Sequence, residues 1–218
     1  LYRTSEAYLY NLTAFAMSET KAPYLDVVRS VAAPGDRVLD VGCGIGSDGL
    51  TLLEEGYRVE FAEFDNPSVE YLRWRLERRG LQAPIHDLDS GPLPTGFDLA
   101  YAFDVLEHAP GWRDLLTSME QSARIVCVNA LETSADETVL HRELPIREIV
   151  GHASARHLLR YERFHGGRSH LLVYDGRPAR GAARLVSAWR TARGARPTAR
   201  RRAARPASAA AGAARPRG

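Results

Sequence analysis

Short apolar runs alternate with helical patterns from Asp36 to Leu131, and this alternation restricts the fold more than any other feature of the chain. The runs at 36–41, 57–64, 83–88, 97–105 and 124–131 read as strands. Residues 46–55, 67–79 and 110–122 lie between them and carry apolar positions at helical spacing, including Val69, Leu72, Trp74 and Leu76 in the second segment. Pro67 suits the first turn of that helix and Gly80 suits its end. Strands that alternate with helices pair in parallel and are covered on both faces.

The pattern changes after residue 145. Residues 146–155 read as a helix, and 157–164 and 169–175 as two strands joined only by His-Gly-Gly-Arg. A parallel crossover needs about a dozen residues or more, so a connection this short implies a hairpin. The expected fold is α/β: a Rossmann-like, seven-stranded, mostly parallel sheet with an antiparallel last strand and helices on both faces. Residues 4–17 and 22–32 read as helices of an N-terminal cap over 1–35. Residues 36–176 then form the main domain, and 177–218 an Arg- and Ala-rich tail.

Near-neutral net charge conceals an asymmetry. From Gly176 to Gly218 the chain has 12 arginines and no acid. That leaves 17 basic side chains against 27 acidic ones before it, a net of −10. Too little apolar surface follows Trp189 to offset chain entropy, so the tail is expected to be largely disordered beyond about Arg193. A short helix over 178–193 would place Leu185, Val186 and Trp189 on one face. No apolar run approaches the ~18 residues of a membrane span. The first residues do not pattern as a signal peptide. The two cysteines, Cys43 and Cys127, suit packed thiols in a reducing, cytoplasmic setting.

The first strand runs into Val-Leu-Asp-Val-Gly-Cys-Gly-Ile-Gly-Ser-Asp-Gly-Leu, residues 38–50. It can be parsed as Gly44-x-Gly46-x-x-Gly49, a dinucleotide fingerprint, or as Asp40-x-Gly42-x-Gly44-x-Gly46. Either way a glycine turn opens a helix and presents main-chain N–H groups. Asp40 ahead of the turn opposes a pyrophosphate and suits a zwitterionic, sulfonium-bearing ligand. Glu63 ends the second strand, where an acid accepts both ribose hydroxyls, a placement that NAD shares. Asp87 follows the third strand, where an acid accepts from an adenine amine.

On these motifs, together with "FAEFDNPSVEYLRWRL", "HDLDSGPLPTGFDLAYAFDVLEH" and the closing hairpin, residues 36–175 resemble a class I S-adenosylmethionine-dependent methyltransferase. More closely, the chain resembles small actinobacterial methyltransferase-domain proteins. The resemblance implies S-adenosylmethionine as cofactor, over the carboxyl edge of the strands. It assigns Asp40, Gly42, Gly44 and Gly46 to the methionine part, Glu63 to the ribose, and Asp87 with Leu88 to the adenine. The family usually has Asp where Glu63 stands, so Asp65 is a second choice for the ribose. Phe103 and Asp104 are expected to line the cofactor pocket.

Methyl transfer is an in-line displacement that alignment alone can accelerate, and it needs a base only when the acceptor must lose a proton. His108, after the fourth strand, is the residue best placed to be that base. Glu132 and His141, in the long polar segment 129–145, are expected substrate contacts. A metal site built on Asp104, Asn129 and another carboxylate has weak spacing, and none is expected. Tyr2, Tyr8 and Tyr10 sit where an N-terminal helix can cover the cofactor. The function expected is methyl transfer to O, N or C of a small molecule. The alternatives are a nucleic-acid methyltransferase guided by the Arg-rich tail, an NAD(P)-dependent oxidoreductase, and a cofactor-binding regulator without activity.

Overall fold

The computed structural model describes residues 7–109, 111–133 and 141–195. Two helices, α1 (Ala7–Met17) and α2 (Ala22–Val31), lead into the alternating body. The body runs β1 (Arg37–Val41), α3 (Ser47–Glu54), β2 (Arg58–Glu63), α4 (Pro67–Arg78), β3 (Ile85–Asp87), β4 (Phe97–Ala102), α5 (Trp112–Ser122), β5 (Ala123–Leu131) and α6 (Ile146–Ala155). It closes with β6 (Arg156–Phe164), β7 (Ser169–Pro178) and α7 (Ala182–Gly194). Among the described residues seven strands form one sheet in the order β3-β2-β1-β4-β5-β7-β6. Only β7 is antiparallel, lying between β5 and β6 as the short hairpin requires.

Strand periodicity divides the core into two layers, because successive side chains point to opposite faces. Leu39, Ala100, Val126 and Leu172 face α5 and α6. Val38, Leu99, Cys127 and Val173 face α2, α3 and α4. Buried on both sides, these strands read as continuous apolar runs in the sequence.

Local chemistry sets the element ends. Asn66 caps α4, its Oδ1 accepting the N–H groups of Ser68 and Val69 at 2.8 and 3.3 Å. Val69, Leu72 and Leu76 of that helix are buried. Trp74 falls off the stripe, is half exposed, and stacks on Tyr71 instead. β4 stops at Ala102 rather than 105, because Asp104 has a φ of +57°, which extended backbone does not permit.

The helix expected over 178–193 forms as α7, Ala182–Gly194, docked on β6, and β7 runs on to Pro178 ahead of it. Leu185, Val186 and Trp189 are exposed, and Ser187 is the buried residue. Residues 196–218, where disorder is expected, lie outside the described residues, as do Tyr2 and residues 134–140. No helix among the described residues is long and apolar enough to cross a membrane.

Candidate active site

β1 delivers the chain into a turn in which Gly42, Gly44 and Gly46 have φ of +69°, +54° and +69°. A Cβ on Gly42 would stand 2.6 Å from a methyl of Val105, and one on Gly46 would overlap Leu72 of α4. The turn thus needs glycine for its conformation and for its close approach to neighbours. Gly49, the last glycine of the competing frame, lies inside α3, where a Cβ would run into the Phe61 ring and so hold helix and sheet apart. Glycine positions alone therefore leave both parsings intact. The acids around the turn separate them.

Glu63, at the end of β2, is buried. Its Oε2 accepts the N–H of Gly44 at 2.8 Å and its Oε1 that of Phe64 at 2.9 Å. Burial raises its pKa against the pull of those two donors. Each oxygen keeps another lone pair, so both can accept from a diol. Asp65 is exposed in the bend before α4. Asp87 is the register partner of Glu63 on β3. Its carboxylate shapes the following turn, accepting from the Asp89 N–H at 2.9 Å and the Ser90 hydroxyl at 2.6 Å. The Leu88 N–H donates to the Glu63 carbonyl at 3.1 Å, so Glu63, Asp87 and Leu88 stand together at the carboxyl edge of the sheet. Asp40 is only 3% exposed, and its Oδ2 has no hydrogen-bond partner among the described residues. Burial first, and then the charge of Asp48, pushes its pKa up to about 7.

The cation that answers these acids was not expected. Lys21, just ahead of α2, has its Nζ 3.1 Å from Asp48 Oδ2. Burial opposes its charge, but Asp48, Asp104 and Asp40 outweigh that cost and hold the ammonium protonated. Leu12 of α1 lies 3.3 Å from the Cβ position of Gly44, so the N-terminal helix does reach the turn. Tyr10 points to solvent, and the Tyr8 side chain is outside the described residues.

Residues 39–130 match the family profile described as "Methyltransferase domain". That stretch is similar to a methyltransferase domain. The chain's fold is similar to a TehB-like SAM-dependent methyltransferase from Corynebacterium glutamicum at 16% identity and a TM-score of 0.61, over 78% of this chain and 99% of that one. It is similar to TehB from Haemophilus influenzae at 16% identity and a TM-score of 0.59, over 70% of this chain and 61% of that one. It is similar also to magnesium protoporphyrin IX methyltransferase from Synechocystis with bound SAH, at 18% identity and a TM-score of 0.56, over 74% of this chain and 87% of that one. The Synechocystis enzyme is known with SAH bound and with SAM bound.

The loop after β4 is built around Asp104. Asn129 of β5 holds it from both sides: its Oδ1 accepts the Asp104 N–H at 2.7 Å, and its Nδ2 donates to Asp104 Oδ1 at 2.8 Å. Asn129 also donates to Ser169 Oγ at 3.3 Å, which in turn accepts the Tyr24 hydroxyl at 2.6 Å. This buried chain stabilises the left-handed backbone at Asp104. Asp104 Oδ2 and Glu107 Oε2 are buried with no hydrogen-bond partner among the described residues. Burial, and next to it the Asp104 charge, moves the Glu107 carboxyl up to about 7. Phe103 is a core side chain, stacked on Tyr101 and tilted against Tyr24.

His108 and His141 come together, their ring centroids 4.8 Å apart. The Arg142 N–H donates to the Glu107 carbonyl at 2.9 Å, tying the two loops. Glu132 does not join them. Its Oε1 pairs with His170 Nε2 at 2.8 Å, whose Nδ1 meets the Tyr161 hydroxyl at 2.6 Å, so its carboxylate braces the β6–β7 hairpin. Among the described residues no group of three His, Cys, Asp or Glu side chains is arranged to hold a metal ion. Asp104 and Asn129 do meet, but as partners of each other.

Proposed function

We propose that the chain transfers the methyl group of S-adenosylmethionine to oxygen, nitrogen or carbon of a small-molecule acceptor. The observation that carries this reading is the pairing of Glu63 with the Gly44 N–H. It ties a diol-accepting carboxylate to the turn and surrounds that turn with acids. Asp40, Asp48 and Asp104 against Lys21 suit a cationic sulfonium zwitterion and repel a diphosphate. The unpartnered Oδ2 of Asp104 fits such a ligand.

Bound there, the cofactor supplies a methyl carbon already activated by its sulfonium. The turn from Gly42 to Gly46 holds the methionine end, Lys21 answers its carboxylate, and Asp104 its ammonium. Glu63 orients the ribose, and Asp87 with Leu88 the adenine. His108, paired with His141, takes a proton from the acceptor at a ring nitrogen when the acceptor carries one.

Calorimetric titration with S-adenosylhomocysteine and with NADH tests the reading. S-adenosylhomocysteine should bind, and Glu63→Ala should weaken it about tenfold or more through lost charge-assisted hydrogen bonds. Tight NADH binding with no heat from S-adenosylhomocysteine would overturn it.

A further inference from the structure

Helix α7 docks on the body through its polar side. Ser187 is fully buried. Its Oγ accepts the Leu158 N–H and donates to the Arg156 carbonyl, both at 3.0 Å. It thereby satisfies main-chain groups on β6, the border strand of the sheet. Thr191 Oγ1 lies 2.5 Å from Ser154 Oγ, and Arg190 donates to the Leu158 carbonyl at 2.7 Å. Gly194 packs so closely on the Tyr161 ring that no Cβ fits.

These anchors fix which side of α7 meets water. Ala182, Ala188 and Ala192 are exposed, Leu185 is 75% exposed and Trp189 58%. Val186 shares that side, and rotating the helix to bury it with its neighbours would break every anchor. Arg184 and Arg193 are exposed on the same helix, the Arg193 guanidinium 5.2 Å from the Trp189 ring centroid. An apolar strip held outward, rather than left over, marks a contact surface.

Charge selects the occupant. The strip belongs to a segment with 12 arginines and no acid, attached to a body of net −10. A second copy would bring the same positive charge to the same face, and like charges oppose that contact. A nucleic-acid backbone would engage the arginines and leave Leu185 and Val186 in water. An anionic lipid surface satisfies both chemistries, phosphates for arginine and the acyl boundary for Leu and Trp.

We propose that α7 seats this protein peripherally on anionic membranes. Leu185, Val186 and Trp189 enter the headgroup–acyl boundary, and Arg184 and Arg193 meet lipid phosphates. The absence of a long apolar run bears on spanning a bilayer, not on lying against one.

The test is flotation of the full chain with vesicles of phosphatidylcholine alone and of three parts phosphatidylcholine to one part phosphatidylserine. Binding should appear only with phosphatidylserine and should weaken in high salt. Replacing both Leu185→Ser and Trp189→Ser should cut partitioning about tenfold or more, with an unchanged melting temperature. Arg184→Glu with Arg193→Glu should cut it roughly fivefold or more per residue. The proposal fails if the wild type ignores anionic vesicles, or if the Leu185/Trp189 variant floats like the wild type. It fails too if that variant instead loses binding to a single-stranded RNA, or converts a dimer to a monomer in light scattering.

Discussion

Replacing Asp40 by Asn should make the ligand-free protein more stable at pH 8 relative to wild type than it does at pH 5. The Asp40 carboxyl moves from an ordinary 3.8 to about 7 on folding, because burial beneath the glycine turn opposes its ionisation and Asp48 adds to the cost. The folded state therefore holds this proton more tightly than the unfolded chain does. The penalty is absent below about pH 4, where both states are protonated, and complete above about pH 7, where both are ionised. Between pH 5 and pH 8 it grows by about 3 kcal/mol in the wild type. An asparagine does not titrate, so whatever its amide gains or loses is constant with pH and cancels in the comparison. For a chain of 218 residues that difference is about 6–12 °C in melting temperature. Glu107, also raised to about 7, stays in both proteins, so each retains some loss of stability towards alkaline pH. Thermal unfolding of both proteins at pH 5, 6, 7 and 8, followed by circular dichroism, reads the effect. Parallel curves would show that Asp40 is ionised at little cost, and the argument for a charge awaiting a cationic ligand would fail.

The same titration predicts that S-adenosylmethionine binds more tightly as pH rises from 6 to 8, by up to about tenfold, with proton release when titrated in buffers of different ionisation enthalpy. Gly46→Ala should cost about 2 kcal/mol or more in denaturant unfolding and abolish cofactor binding, since it combines a φ of +69° with overlap on Leu72. Asn129→Leu strips Asp104 of both its partners in that residue. It should lower stability by about 3 kcal/mol in the same assay.

Much of the fold was legible because local rules and tertiary demands agree. The strands lie on the apolar runs, and α4 begins at the Asn-Pro pair that both caps and starts it. The four-residue link that predicts a hairpin does reverse β7. Acids at strand ends were legible for the same reason: successive parallel strands deliver their last residues to one edge, and Glu63 and Asp87 become register partners there. The exposure of Trp74 and of the apolar residues of α7 was not legible, because an apolar residue is buried only when its helix turns that side inward.

The sequence alone settled the alternation that makes a parallel sheet, the glycine turn and the placement of acids along one edge, since period and spacing survive in the linear order. Only the tertiary structure set Lys21 against Asp48, Asn129 around Asp104 and His108 beside His141. Those pairs join residues remote in sequence through side-chain geometry, and no local propensity encodes them. The outward face of α7 was decided the same way. Its direction rests on Ser187 and Thr191 finding partners on β6 and α6, which the helix cannot specify by itself.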